Sequence, residues 1–177
     1  PVTNDGRRDN EFFQKCLGNY NDGDWSGAIE KINHLIKTYP EGRYAERAYF
    51  LLLSSYENLS AGSISDQFNE IKDHYENTLN RFPESNYMPE ALLSIGNIYF
   101  KIQNYYEAIG YYNLVVKRDK DSVSAVKALM KKVRILLLRK KREDALSVLT
   151  VLEDITSLYP EMPENIDARK LKAKILY

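Results

Sequence analysis

Apolar residues recur at three- and four-residue intervals along most of the chain, as in Ala45, Ala48, Tyr49, Leu52, Leu53 and Tyr56, and again in Leu92, Ile95, Ile98 and Tyr99. That interval gathers them on one face of an α-helix. Short polar breaks separate one such stretch from the next. Strand signals are sparse: the two Asp-Gly pairs, Asp5-Gly6 and Asp22-Gly23, both lead into helical patterns rather than hairpins of alternating residues. The pattern predicts helix after helix.

One arrangement of small and large residues returns along the chain. In its clearest form Leu92, Ile95, Gly96 and Tyr99 are followed by Asn104, Tyr105, Ala108, Tyr112 and Val115. This describes a helical hairpin. Gly96 and Ala108 are small where two helix backbones approach, Tyr99 and Tyr112 fill the space beside them, and Asn104 caps the second helix with Glu107 three residues on. Trp25, Ala28, Ile32, Leu35 and Pro40 repeat the second half, preceded by Phe12 and Cys16, which puts Cys16 at the place of Gly96. Another copy runs through Ala48, Tyr49, Leu52 and Tyr56 to Phe68, Ile71, Tyr75 and Pro83, and a last one through Ala128, Leu129 and Leu136 to Ala145, Leu149 and Leu152. The series Ala28, Ile71, Ala108, Ala145 advances by 43, 37 and 37 residues, and the separate series Ala48, Ala91, Ala128 by 43 and 37. Two independent columns agree on one register.

These residues resemble the tetratricopeptide repeat, with a unit of 37 residues and a resemblance that covers residues 9–160. The linkers Tyr39-Pro40-Glu41-Gly42-Arg43-Tyr44 and Phe82-Pro83-Glu84-Ser85-Asn86-Tyr87 share one form, an aromatic-Pro pair and then a Tyr before Glu and Ala. That form is similar to the bacterial envelope branch of the family, which includes the BamD-like lipoproteins of outer-membrane assembly and the Tol-Pal cell-division coordinator. The resemblance implies an all-α fold, a right-handed superhelix (an α-solenoid) of about four hairpins plus a terminal capping helix. The expected division is a loosely ordered segment over 1–8, then one domain over 9–177. Its repeats fall at about 9–40, 45–83, 89–120 and 123–160, and its cap at 163–177. Residues Ser60 to Ser65 are extra between the helices of the second copy, and Ile71 replaces its small residue, so this hairpin is expected to be splayed. In the fourth copy Val133 stands for the small residue and Arg142 for the aromatic. The helical pattern reaches Tyr177 without a Gly stop, which leaves open whether the chain continues.

Composition agrees with a folded protein: of 177 residues 44% are apolar and 28% charged, with 8 Gly and 6 Pro, which excludes collagen-like and disordered classes. No apolar run approaches the roughly 18–20 residues of a membrane span. The net charge is zero, yet residues 1–88 hold 9 Lys/Arg against 14 Asp/Glu and residues 89–177 hold 16 against 11. A chain so divided is a poor nucleic-acid binder. Its first residue is Pro1, with no signal-peptide pattern behind it; the envelope resemblance implies a periplasmic or outer-membrane-associated protein, with a lipid anchor upstream of Pro1 as one arrangement and the cytoplasm as the alternative.

Catalytic chemistry finds no footing. His34 and His74 stand singly without a second ligand at helical spacing, and Cys16 is the one cysteine, at a position expected to be buried. Phosphate-binding and nucleophile-elbow motifs are absent. No enzyme activity, cofactor or metal is expected. The expected partner is another protein or peptide segment. In the resembling superhelices the inner groove is lined by first-helix residues, here Phe13, Leu17, Phe50, Ser54, Leu93, Asn97, Met130 and Arg134, with Phe100 and Lys101 nearby. The co-chaperone branch grips a terminal carboxylate at such places with Lys and Asn. Here apolar groups predominate, which suits an amphipathic helix or an extended apolar peptide; Asn97, Lys101, Lys127 and Arg134 keep some of that polarity. A non-catalytic scaffold in an envelope complex is the leading expectation, beside an intracellular chaperone adaptor and a helical accessory domain of a cell-wall enzyme. Lys131-Lys132-Val133-Arg134 and Arg139-Lys140-Lys141-Arg142 place seven bases in twelve residues. Of these, Lys131, Arg139, Lys140, Lys141 and Arg142 form a candidate patch for an acidic partner.

Overall fold

The computed structural model describes residues 4–139 and 144–176. Among the described residues ten helices follow one another: α1 Asn4–Asn21, α2 Trp25–Thr38, α3 Ala45–Asn58, α4 Ala61–Asp66, α5 Phe68–Arg81, α6 Met88–Lys101, α7 Tyr105–Arg118, α8 Val123–Arg139, α9 Asp144–Leu158 and α10 Pro163–Leu176. They pack as hairpins, α1 with α2, α6 with α7, α8 with α9, and each hairpin leans on the next. The result is an all-α solenoid whose apolar core runs along its whole length. Helix α1 starts at Asn4, so its first turns fall within the segment 1–8. Once packing of Phe13 and Cys16 holds the helix, each added residue gains a backbone bond at little nucleation cost.

The tightest contact is between α6 and α7. A Cβ on Gly96 would stand 2.5 Å and 2.8 Å from two ring carbons of Tyr112, so only a glycine lets that ring lie against the α6 backbone. Ala108 opposite is fully buried. The turn before α7 is capped by Asn104, whose Oδ1 accepts the Glu107 N–H at 3.4 Å, as Asp24 caps α2 by accepting the Gly27 N–H at 3.0 Å. The residue before each cap is left-handed, Gly23 at φ 76° and Gln103 at φ 62°. The first hairpin uses the residue suited to that conformation; the third does not. Cys16, at the place of Gly96, is fully buried, and burial pushes its thiol up to about 11. Neutral at physiological pH, it is a packing residue.

The second hairpin departs from the pattern as its sequence requires. The residues from Ser60 onward form the short helix α4, capped by Ser60, whose Ile64 is fully buried and which packs against α5 and α6. Helix α3 shares a longer seam with α6 than with α5. Ile71, too large for a close backbone approach, fills the gap instead.

Long side chains tie successive hairpins together. An Arg81 Nη donates to the Pro40 carbonyl at 2.8 Å and to Glu41 at 2.5 Å; an Arg118 Nη donates to the Pro83 carbonyl at 2.7 Å and to Glu84 at 3.2 Å. Each cation thus also neutralises the dipole at the end of its own helix. The shared Pro-Glu linkers are the acceptors. Farther along, the Tyr159 hydroxyl donates to the Lys120 carbonyl, and the buried Asn165 amide donates to the carbonyls of Ile155, Thr156 and Tyr159 at the end of α9.

Two outcomes test this packing. Gly96→Ala should lower stability by about 1–3 kcal/mol because Tyr112 cannot retreat, while Gly110→Ala, whose new Cβ meets nothing within 4 Å, should raise it by about 0.5–1 kcal/mol. Urea unfolding of the two variants measures both signs. His74 lies against the Tyr56 ring at 5.7 Å, and burial lowers its pKa from the usual 6.5 although the Glu70 and Asp73 carboxylates oppose that shift. The unfolded chain therefore binds the proton more readily, so this contribution to stability is present above about pH 6.5 and is lost as pH falls toward the folded pKa. Melting temperatures of wild type and His74→Gln should diverge over that window, the wild type losing more.

Candidate protein-binding groove

Among the described residues, first helices and the linker residue Tyr87 border one open face of the solenoid. A cavity of about 670 Å³ is bordered by residues of α3, α6, α8 and α10, including Ser54, Leu93, Asn97, Met130 and Arg134. A smaller one of about 210 Å³ continues it toward α1 along Leu17, Phe50 and Ser54. Ser54 and Glu90 border both, which makes them one groove.

The groove is built in three rows. Phe50, Leu93 and Met130, each two residues past a buried alanine (Ala48, Ala91, Ala128), are half-buried and form the middle row. One turn before them stand Arg47, Glu90 and Lys127, all exposed; one turn after them stand Ser54, Asn97 and Arg134. Phe50 is braced by Phe82 and Tyr87, with ring centroids at 6.1 Å and 5.4 Å. The Tyr20 and Ser54 hydroxyls are hydrogen-bonded at 2.6 Å.

Several expected groove residues also make contacts that serve the fold. Phe13 is only 1% exposed: Tyr44 stacks on it at 4.7 Å and the Arg47 guanidinium lies over its ring at 5.1 Å. Tyr44 of the linker after α2 and Arg47 of α3 supply that cover, while Phe13 and Leu17 still border the smaller cavity. Asn97 is 7% exposed; its Oδ1 accepts the Tyr112 hydroxyl at 2.9 Å and its Nδ2 donates to Glu57 at 2.9 Å. Lys101 turns its ammonium to the carbonyls of Glu57 and Leu59, capping the end of α3. Phe100 lies under two cations, Lys131 at 5.7 Å and Arg134 at 5.4 Å.

The basic run does not form a single patch among the described residues. Lys131 and Arg134 border the groove, Lys132 donates to Asn113 on α7 at 3.0 Å, and Arg139 pairs with the buried Asp144 at 3.3 Å. Successive helical positions turn by about 100°, which scatters the run around α8. Lys140, Lys141 and Arg142 lie outside the described residues. Burial lowers the pKa of Lys131; the Glu57 carboxylate raises it, and the Arg134 and Lys101 charges lower it further.

Charge was the feature that sequence reasoning underweighted here. Glu57, Glu90 and Glu164 border the cavity with Lys127, Lys131 and Arg134, so its rims are ionic around an apolar floor. The signal lay in the register: Arg47, Glu90 and Lys127 each stand three residues before an apolar groove position. Among the described residues no group of His, Cys, Asp and Glu is arranged to hold a metal ion, and no helix is long and apolar enough to cross a membrane.

No curated protein matches this chain. Residues 90–122 match the tetratricopeptide repeat family, and they coincide with the α6–α7 hairpin in which Gly96, Ala108 and Tyr112 make the closest helix contact. With that match on its most regular hairpin and its helices paired in sequence, the chain has the fold of an all-α tetratricopeptide-repeat solenoid.

Proposed function

We propose that this protein is a non-catalytic scaffold that holds a segment of a partner protein in the groove of its first helices. The observation that carries the reading is the middle row: Phe50, Leu93 and Met130 come from three successive repeats and remain partly open on that face. The repeat match supports a role in protein association. The state of Asn97 and Lys101 favours an apolar segment over a terminal carboxylate, because both are already engaged, one with Tyr112 and Glu57 and the other with the carbonyls ending α3. A chaperone adaptor gripping acidic tails would need those groups free.

Replacing Leu93 and Met130 together by Asp should weaken partner binding by at least about tenfold while the circular dichroism spectrum is retained, since both side chains are half-buried. Retained binding would remove the groove from the function; loss of folding would assign these residues to the core.

The work of the scaffold we place in a bacterial envelope complex for outer-membrane assembly or division. The similarity of the two Pro-Glu linkers to that branch supports this. In fractionated cells the full-length protein should travel with the envelope, and recovery in the cytosol would count against it.

A further inference from the structure

The charged row specifies the occupant of the groove more closely than the apolar row does. Arg47, Glu90 and Lys127 hold equivalent places on α3, α6 and α8, so across the groove their signs read plus, minus, plus. All three are exposed, and among the described residues none forms an ion pair within 4.0 Å. Glu90 and Lys127 are thus left without an ionic partner, and Arg47, whose guanidinium lies over the Phe13 ring, keeps its charge unpaired as well. The row on the other side carries one charge, Arg134.

The spacing of the rows matches a helix. Arg47 and Ser54 are seven residues apart on α3, about 10.5 Å along its axis, close to the roughly 10–12 Å width of an α-helix lying across it. Neighbouring packed helices stand about 8–10 Å apart. Residues seven apart on a crossing helix are about 10.5 Å apart on nearly one face, so one heptad advances by one repeat. An extended strand repeats its face at about 6.6 Å and falls out of step. The row also has two ends. Beyond α3 lies the covered Phe13, and on α10 the position two past the buried Ala168 is the exposed Lys170.

We infer that the groove takes an amphipathic helix of a partner protein laid across α3, α6 and α8, with apolar residues seven apart on Phe50, Leu93 and Met130. Its flank reads acid, base, acid against Arg47, Glu90 and Lys127. This rests on the groove being the binding surface. Reversing the helix with its apolar face on the groove would swing that flank onto the Ser54, Asn97 and Arg134 row, so the flank itself sets the direction, and Arg134 takes a further acid on the opposite flank near α8.

The test uses two synthetic helical peptides of about 21 residues, Leu at every seventh position, flanked by Glu, Lys, Glu in one and Lys, Glu, Lys in the other. Fluorescence anisotropy with the folded protein should show the first binding about tenfold tighter at low salt, the gap closing as salt rises. The triple variant Arg47→Glu, Glu90→Lys, Lys127→Glu should reverse that preference while keeping the helical spectrum. If both peptides bind equally and both are lost on the Leu93→Asp, Met130→Asp protein, the groove reading stands and the charge pattern is discarded. Absence of binding by either peptide, or binding that ignores those two substitutions, removes both readings. A proline-interrupted form of the first peptide that binds as well would overturn the helix.

Discussion

The solenoid depends on how closely paired helices can approach, and that distance is set by the few positions where a side chain is nearly absent. At Gly96 the Tyr112 ring occupies the space a Cβ would need. The ring is then placed so that its hydroxyl reaches Asn97, whose amide reaches Glu57 on the preceding hairpin. One missing methyl group thus positions a polar chain from α7 through α6 to α3. A buried hydroxyl must be satisfied, which gives this chain a directional role that apolar packing lacks. Where the small residue is replaced, as at Ile71, the α3–α5 seam is shorter than the α3–α6 one, and an extra element, α4, packs against α5 and α6.

Approach within a hairpin does not determine how hairpins stack. That step belongs to long side chains at helix ends. Arg81 and Arg118 occupy equivalent positions 37 residues apart, and each reaches back to a Pro carbonyl and a Glu in the preceding linker. Exposed ion pairs contribute little to stability individually. Their carbonyl contacts nevertheless restrict the angle between hairpins. Phe50, Leu93 and Met130 fall into one row through steps of 43 and 37 residues, the six extra residues of the second hairpin being taken up in α4.

The electrostatics of the groove follow from its shape. Lys131 and Arg134 are held over Phe100, whose ring quadrupole replaces some of the hydration that burial removes from Lys131. Arg47 serves two ends at once, its guanidinium covering Phe13 while the side chain remains exposed at the groove's rim. Such a residue shields the core without closing the surface beside it.

The hairpins, their register and their capping residues were legible from residue spacing, because a helix writes its buried face into its own sequence at fixed intervals. Gly96, Ala108, Asn104 and the buried Cys16 could be read in that way. Which first-helix residues remain open could not. Phe13 and Phe50 occupy similar places by local pattern, yet Tyr44 and Arg47, some thirty residues downstream, cover the first and leave the second half-open. The basic run was equally ambiguous, since contiguous residues on a helix diverge and only the neighbours on α6, α7 and α9 decide where each cation ends. Periodicity reports what one helix turns inward; coverage depends on side chains from distant segments, and that belongs to the tertiary structure.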